Sequence, residues 1–271
     1  MRLSLRASIV GVLLAALALL VLAGLLGIGG DPDMLDIDQR LGVAGTAHWL
    51  GTDGYGRDIF GRLAAGAVTS AAIAVASVLL SLGAGMLLGG IAGFFGGWID
   101  RLAGLLIDAL LAFPGLLLAL AMSAALGGGA ASVILALGIA QTPVVARQFR
   151  ASVQAVRERE FVEVGRLFGH SRWRIFREQI LPNSIGPVII LSASLLSGAL
   201  LAESALSFLG VGVSPPQPTW GNMLAEGRRF LSSAPWLCIW PGLAITLTVL
   251  AVNLAGDLLR DRLDPHMQER G

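Results

Sequence analysis

LAAGAVTSAAIAVASVLLSLGAGMLLGGIAGFFGGWI, residues 63–99, contains no Asp, Glu, Lys or Arg. A bilayer core about 30 Å thick is crossed by roughly 20 apolar helical residues, and this run has 37. It is not alone. Residues 109–146 form a second uncharged stretch, and residues 7–30, 179–202 and 230–256 form three more. The chain of 271 residues is 55% hydrophobic and 14% charged, against about 25% charged in a soluble domain. Strands of a membrane barrel would be about 10 residues long with alternating polarity. The runs here are continuous, so the expected fold is all-α, a polytopic membrane bundle.

As a single helix, residues 109–146 would reach about 57 Å at ~1.5 Å per residue, too long for one crossing. Gly127-Gly128-Gly129 interrupts them. Six transmembrane helices are therefore expected, over about 6–28, 66–93, 102–126, 131–150, 184–209 and 236–257. The first run follows Arg2 and Arg6 and exceeds the 7–15 residues of a signal-peptide core, so it reads as a retained span. Six crossings put both termini on one side. Fourteen arginines then fall on that side, eight of them in residues 147–182, and five on the other. The positive-inside rule makes the arginine-rich side cytoplasmic. The 31–62 loop, with six aspartates, and the 210–235 loop face outward. Ser81, Gly85, Gly89, Gly93 and Gly97 recur every four residues, a ladder that lets helices approach closely; it suits internal packing or a subunit-facing surface. Pro114 and Pro143 remove backbone donors and are expected to kink their helices.

The composition also excludes functions. All 19 basic residues are arginine. A P-loop needs a lysine to reach the nucleotide phosphates, so this chain holds no standard ATP site, and any ATP and Mg belong to another subunit. No cofactor is expected on the chain itself. His48, His170 and His266 are scattered outside the spans without metal-ligand spacing, so no metal site is expected. Cys238 lies alone in an apolar run and reads as a packing residue. A net charge of +1 with no basic soluble face excludes a nucleic-acid partner.

Residues 151–183, ASVQAVREREFVEVGRLFGHSRWRIFREQILPN, are too polar to span and too apolar for a linker. Val153, Val156, Phe161, Val164 and Phe168 fall near helical spacing. Gly169 breaks the pattern, Ser171 can cap a second short helix, and Pro182 is expected to stop it. The result is a helix–turn–helix with an apolar stripe among arginines and glutamates. It suits two uses, lying on lipid headgroups or inserting into a groove of a cytoplasmic partner.

Glu163-Val164-Gly165, then Gly169, then Leu181-Pro182 resembles the "EAA" loop of ABC-importer permeases: Glu-Ala-Ala, three residues, Gly, nine residues, Ile, any residue, Leu-Pro. Val164 and Gly165 replace the two alanines, and Gln179 stands at the isoleucine. HWLGTDGYGRDIFGRL (48–63), AFPGLLLALA (112–121), AESALSFLGVGVSPPQPTWGNML (202–224) and APWLCIWPGLAITLTVLAVNLAGDLLRDRLDP (234–265) also resemble the dipeptide, oligopeptide and nickel importer permeases, in particular their C-type subunit. The resemblance covers about residues 45–265.

The resemblance implies a type I ABC importer permease fold in the bacterial inner membrane. It implies a helix and outer loop over 1–65, a permease core over 66–258 with the coupling loop 151–182, and a cytoplasmic tail over 259–271. The implied partners are a homologous B-type permease, two ATPase subunits, an extracytoplasmic binding protein and membrane lipid. Glu163, Gly165, Gly169, Leu181 and Pro182 would form the ATPase-coupling loop. Short peptides are the leading substrate class, and nickel or a metal chelate is the alternative. Outside this family, an ion-driven secondary transporter or channel would need polar sites at mid-membrane, for which Glu203 is the candidate. Glu203 lies within the fifth expected span, where an ionisable group lines a path or gate or ties helices together. Asp108 is expected to pair with an arginine. Asp53, Arg57 and Asp58 form an outer turn that is either internally ion-paired or a dock for the binding protein.

Overall fold

The computed structural model describes residues 2–263. Five helices are long and apolar enough to cross a membrane: α1 (Arg2–Leu25), α2 (Ile59–Phe95), α5 (Ala130–Arg157), α9 (Gly186–Phe208) and α11 (Trp236–Leu263). A further apolar pair, α3 (Gly97–Leu111) and α4 (Gly115–Ala125), is bent by 84° and makes a sixth crossing if the two pieces are counted as one span. Four short helices, α6 (Glu160–Leu167), α7 (Arg172–Ile175), α8 (Leu181–Ser184) and α10 (Trp220–Gly227), lie in the connections. No strand forms among the described residues. The all-α bundle expected from the sequence is what the chain adopts. The domain limits expected at 65/66 and 258/259 fall inside α2 and α11, which run through them unbroken. Arg270 and His266 lie outside the described residues.

The crossing of α2 and α5 is the centre of the bundle. A Cβ on Gly85 would stand 2.5 Å from the Cβ of Val145, and one on Gly93 2.9 Å from that of Val153. A Cβ on Gly89 would overlap the carbonyl of Ala146 and come within 3.0 Å of the Arg150 nitrogen. From the other side, a Cβ on Gly138 of α5 would meet Leu80 of α2 at 2.5 Å. Glycines on both helices thus let the backbones approach to a distance no side chain allows. Ser81, Gly85, Gly89 and Gly93 are an internal packing surface. Gly97, the fifth rung, lies past the end of α2 at φ +60 and touches nothing across the gap.

α2 is 37 residues long, about 55 Å at ~1.5 Å per residue, so it extends beyond the bilayer core. Asp58 sets its start, Oδ1 accepting from the Gly61 nitrogen at 2.7 Å, as an N-cap does. This is seven residues before the expected span.

The third span differs from the single helix expected over 102–126. It breaks at Ala112-Phe113-Pro114, where the axis turns by 84°. Proline disfavours helical backbone in the residue before it, so Pro114 ends one helix and begins another rather than kinking one. Arg150 of α5 grips Asp100 of α3 with two bonds, Nε to Oδ1 at 2.5 Å and Nη2 to Oδ2 at 2.8 Å. Asp108 has the arginine partner expected of it, Arg147, at 2.5 Å. The two arginines lie one turn apart on α5 and the two aspartates two turns apart on α3, so α3 runs obliquely across α5. Pro143, by contrast, stays within an uninterrupted α5. Gly127, Gly128 and Gly129, all at positive φ, turn the chain from α4 into α5. Ser123 Oγ donates to the Val211 carbonyl at 2.7 Å and Gly129 nitrogen to that of Gly212 at 2.8 Å, pinning this corner to the end of α9.

The 210–235 segment folds back on the bundle. Trp220 is fully buried, its Nε1 donating to the Leu63 carbonyl at 3.0 Å and its backbone nitrogen to Ser70 Oγ at 3.3 Å. Thr219 and Asn222 form a reciprocal cap that starts α10. Glu203 of α9 sits behind this contact, 0% exposed. Ser207 Oγ donates to it at 2.9 Å and Ser204 Oγ at 3.4 Å, and the Ser70 and Thr219 side chains lie beside it. A buried carboxyl group is tolerated only with such partners. These tie α2, α9 and the start of α10. Cys238 is free and half-buried, its sulfur 3.9 Å from the Leu224 carbonyl.

Three outcomes follow. Gly89→Val drives a branched side chain into the α5 backbone and is expected to cost about 1–3 kcal/mol, read as a lower Tm of the detergent-solubilised protein. Gly83→Ala, whose Cβ meets nothing within 4 Å, should raise Tm, by roughly 0.5–1 kcal/mol of helix propensity. Glu203→Leu strips the Ser204 and Ser207 hydroxyls of their acceptor and should destabilise by about 1–3 kcal/mol, with Glu203→Gln losing less in the same measurement.

Candidate functional sites at the two ends of the bundle

At one end, α5 does not stop at the expected 150 but runs on to Arg157. Val153 and Val156 therefore belong to α5 and face the core, not to a stripe shared with Phe161, Val164 and Phe168. The separate element is α6, a turn, α7 and α8. The turn is made by Gly169 at φ +75, a left-handed conformation that glycine adopts without strain. Gly169 nitrogen donates to the Arg166 carbonyl at 3.0 Å and His170 nitrogen to that of Gly165 at 3.2 Å, closing α6 as left-handed C-caps do. Ser171 Oγ accepts from the Arg174 nitrogen at 3.3 Å and caps α7, as its sequence position suggests. α7 then widens into a π-helical turn over Phe176–Ile180 and passes directly into α8. Pro182 does not stop the helix. It lies just after the π-helical turn, inside the continuous helix, and the break comes at Ile185.

The inner face of this elbow joins the core through Val162, Ile175 and Ile180, all buried. Gly165 is buried against Gln179: a Cβ there would stand 2.6 Å from Gln179 Nε2. The two departures from the family motif therefore face each other, the smaller residue leaving room for the longer amide. Leu181 packs on the core cluster.

The outer face is different. Phe161 and Val164 are exposed, and Leu167, Phe168 and Trp173 are 82%, 78% and 68% exposed. Trp173 stacks on Phe176 at 5.9 Å, and the outer side of this apolar patch remains uncovered among the described residues. Beside it Arg157, Arg159, Arg166 and Arg172 line a cavity of ≈ 660 Å³ together with Glu163. The Glu163 side chain makes no hydrogen bond or ion pair among the described residues, so it does not brace the turn. Arg174 Nε donates to Glu178 at 2.9 Å, which holds that carboxyl below the usual carboxylate range.

At the other end, Asp53 organises a tight turn. Its Oδ1 accepts from the backbone nitrogens of Tyr55 and Arg57, at 2.8 and 3.0 Å, and its Oδ2 from Arg57 Nε at 2.6 Å. Arg57 Nη2 donates to Glu226 Oε2 at 2.5 Å, joining the 31–62 loop to α10. Asp58, the cap of α2, also pairs with His48 Nδ1 at 2.7 Å. Asp53, Arg57 and Asp58 thus form an internally ion-paired turn.

Sequence reading missed Arg62, which is 1% exposed and lies 3.3 Å from Asp33, 3.5 Å from Glu226 and 3.7 Å from Asp53. The signal was its place as the last charge before the uncharged run that opens at Leu63. Glu203 belongs to neither site and has no exposed surface. No group of His, Cys, Asp and Glu among the described residues could hold a metal ion.

Residues 85–269 match the family model for the binding-protein-dependent transport system inner membrane component. The dipeptide transport system permease protein DppC of Alkalihalophilus pseudofirmus is 42% identical over 85% of this chain and 76% of its own. The nickel transport system permease protein NikC of Escherichia coli is 37% identical over 94% of this chain and 92% of its own. Among solved structures, the MetNI methionine ABC transporter in an inward-facing conformation shares the fold at a TM-score of 0.63 and 15% identity, over 75% of this chain and 96% of that one. With an all-α bundle, a spanning-length set of helices and these relatives, the chain belongs to the binding-protein-dependent inner-membrane components and is a permease subunit of an ABC importer.

Proposed function

We propose that this permease imports short peptides and that α6–α8 is the lever through which ATPase subunits drive it. The exposed apolar patch of Phe161, Val164, Leu167, Phe168 and Trp173 carries the reading. A contiguous apolar surface on a protein's polar end marks an interaction site. The arginines that line the cavity beside it, with Glu158 and Glu163 among them, suit a polar groove better than the interior of a second membrane helix. The elbow is rigid where it must transmit force: Val162, Ile175 and Ile180 anchor it to the core, and α8 leads into α9 across one residue. Movement of the patch would therefore move α5 and α9 as rigid bodies, the kind of displacement that switches access in transporters.

In this arrangement Glu163, Gly165, Gly169, Leu181 and Pro182 make the coupling loop, and ATP and Mg are bound by the partner ATPases. A second permease completes the path, and a binding protein delivers substrate to the opposite end. Both termini lie in the cytoplasm, with the α3–α4 pair counted as one crossing. Peptide relatives favour peptides. Nickel is the second reading, favoured by the nickel permease that aligns over nearly the whole chain; uptake of labelled dipeptide against labelled nickel separates the two.

Gly169→Val places a β-branched residue at a left-handed turn, at about 1–2 kcal/mol of backbone strain. It should lower substrate-stimulated ATP hydrolysis by the assembled complex severalfold, while Gly186→Ala, which meets nothing within 4 Å, should not. Unchanged uptake and hydrolysis in Gly169→Val would remove the elbow from the coupling path, as would labelling of a cysteine at Leu167 from the outer side.

A further inference from the structure

Lipid tails neither donate nor accept hydrogen bonds, so an exposed polar side chain inside a spanning helix marks a face turned away from them. Every exposed residue of α2 is apolar or glycine, and so is every exposed residue of α1 from Ile9 on. α9 and α11 differ. Ser194 is exposed on α9, and Asn253 is exposed on α11 with Thr246 two turns before it on the same face. Thr246 Oγ1 donates to the Gly242 carbonyl of its own helix at 2.8 Å. The Ser194 hydroxyl and the Asn253 amide nitrogen make no hydrogen bond among the described residues.

These groups meet at one level. Ser197, the middle residue of α9, donates to Asn253 Oδ1 at 2.8 Å. Gly256 permits that approach, because a Cβ there would stand 2.5 Å from the Cβ of Ala193. On the other flank, Gln141 Nε2 of α5 donates to the Leu195 carbonyl at 3.3 Å. Successive residues of a helix point about 100° apart. Ser194 therefore lies between the flank of α9 that meets α11, at Ala193 and Ser197, and the flank that meets α5, at Leu195. Gly198, one turn further on, is exposed too, and a Cβ on it would meet nothing within 4 Å. A narrow polar strip thus runs along α9 between α5 and α11, and nothing in the chain covers it.

We propose that this strip lines the translocation path and that Ser194 and Asn253 hydrogen-bond the main-chain amides of a passing peptide. A primary amide nitrogen donates to a peptide carbonyl, and a hydroxyl serves either a carbonyl or an N–H. Both groups are neutral, so they hold a substrate weakly enough to release it, as a path must. Main-chain amides are common to all peptides, so such contacts do not depend on side-chain identity. Nickel suits imidazole, and the strip has none; no group of His, Cys, Asp and Glu among the described residues could hold a metal ion. The inference rests on the peptide reading above and places its selectivity on two residues.

The test uses the assembled complex in proteoliposomes, with saturating binding protein loaded with labelled dipeptide, and reads uptake per ATP hydrolysed. Ser194→Leu removes no contact within the chain and would be harmless on a face turned to lipid. It should instead lower uptake per ATP severalfold, with Tm and the half-saturating concentration of binding protein unchanged. Asn253→Ala should lower it roughly two- to tenfold, the worth of one hydrogen bond. Unchanged uptake per ATP in either variant overturns the proposal. Loss of the second permease on purification of Ser194→Leu also overturns it and makes the strip a contact between subunits. Failure of the peptide reading looks different: the wild-type complex would take up labelled nickel and not dipeptide.

Discussion

Close approach of the α2 and α5 backbones is the constraint on which the other contacts depend. Lipid tails are as apolar as the helices they surround, so burial of leucine gives little net drive for association in a membrane. Packing density and buried polar contacts must supply it. Glycine on both sides of the crossing provides the first. Because α5 is fixed against α2 over residues 85–93, Arg147 and Arg150 are held where they can take Asp108 and Asp100. The broken α3–α4 span is thereby laid across α5 rather than left to find its own angle.

The same frame is tied at opposite ends, by polar contacts at one and by apolar packing at the other. Near one end, Glu203 gathers hydroxyls from α2, α9 and the start of α10, and Trp220 reaches two hydrogen-bonding groups of α2. At the other, α5 and α9 hold the elbow between them. These opposite ends are where a binding protein and an ATPase would act. The helices between them are continuous, and the one large break, at Pro114, lies outside that line. Within α5 and α9 no break would absorb a displacement; the joints lie at their junctions with the elbow, at residues 158–159 and at Ile185.

The elbow also shows how a family motif tolerates change. Gly165 and Gln179 each depart from the pattern, yet they face each other across the helix crossing. Losing a methyl on one side matches the longer polar side chain on the other, in keeping with the preference of packed interiors for conserved total volume. Val164, the third departure, points outward and needs no compensation within the chain.

The sequence alone determined the membrane class, the approximate crossings and the existence of a polar elbow with its glycine turn. Each of these follows from local composition: uncharged length, charge asymmetry, and a residue able to adopt positive φ. Tertiary structure decided the rest. Whether the glycine ladder faced lipid, another subunit or α5 depended on what lay opposite, and four rungs proved internal while Gly97 did not. The apolar residues of 153–168 divided between core and surface because α5 extended further than its charge pattern suggested. Glu203 became a tie because Ser70, from a helix more than a hundred residues earlier, came within reach. Arg62 was invisible as a functional residue for the same reason. Its acidic neighbours, Asp33, Asp53 and Glu226, come together only in space, and no spacing along the chain encodes that cluster.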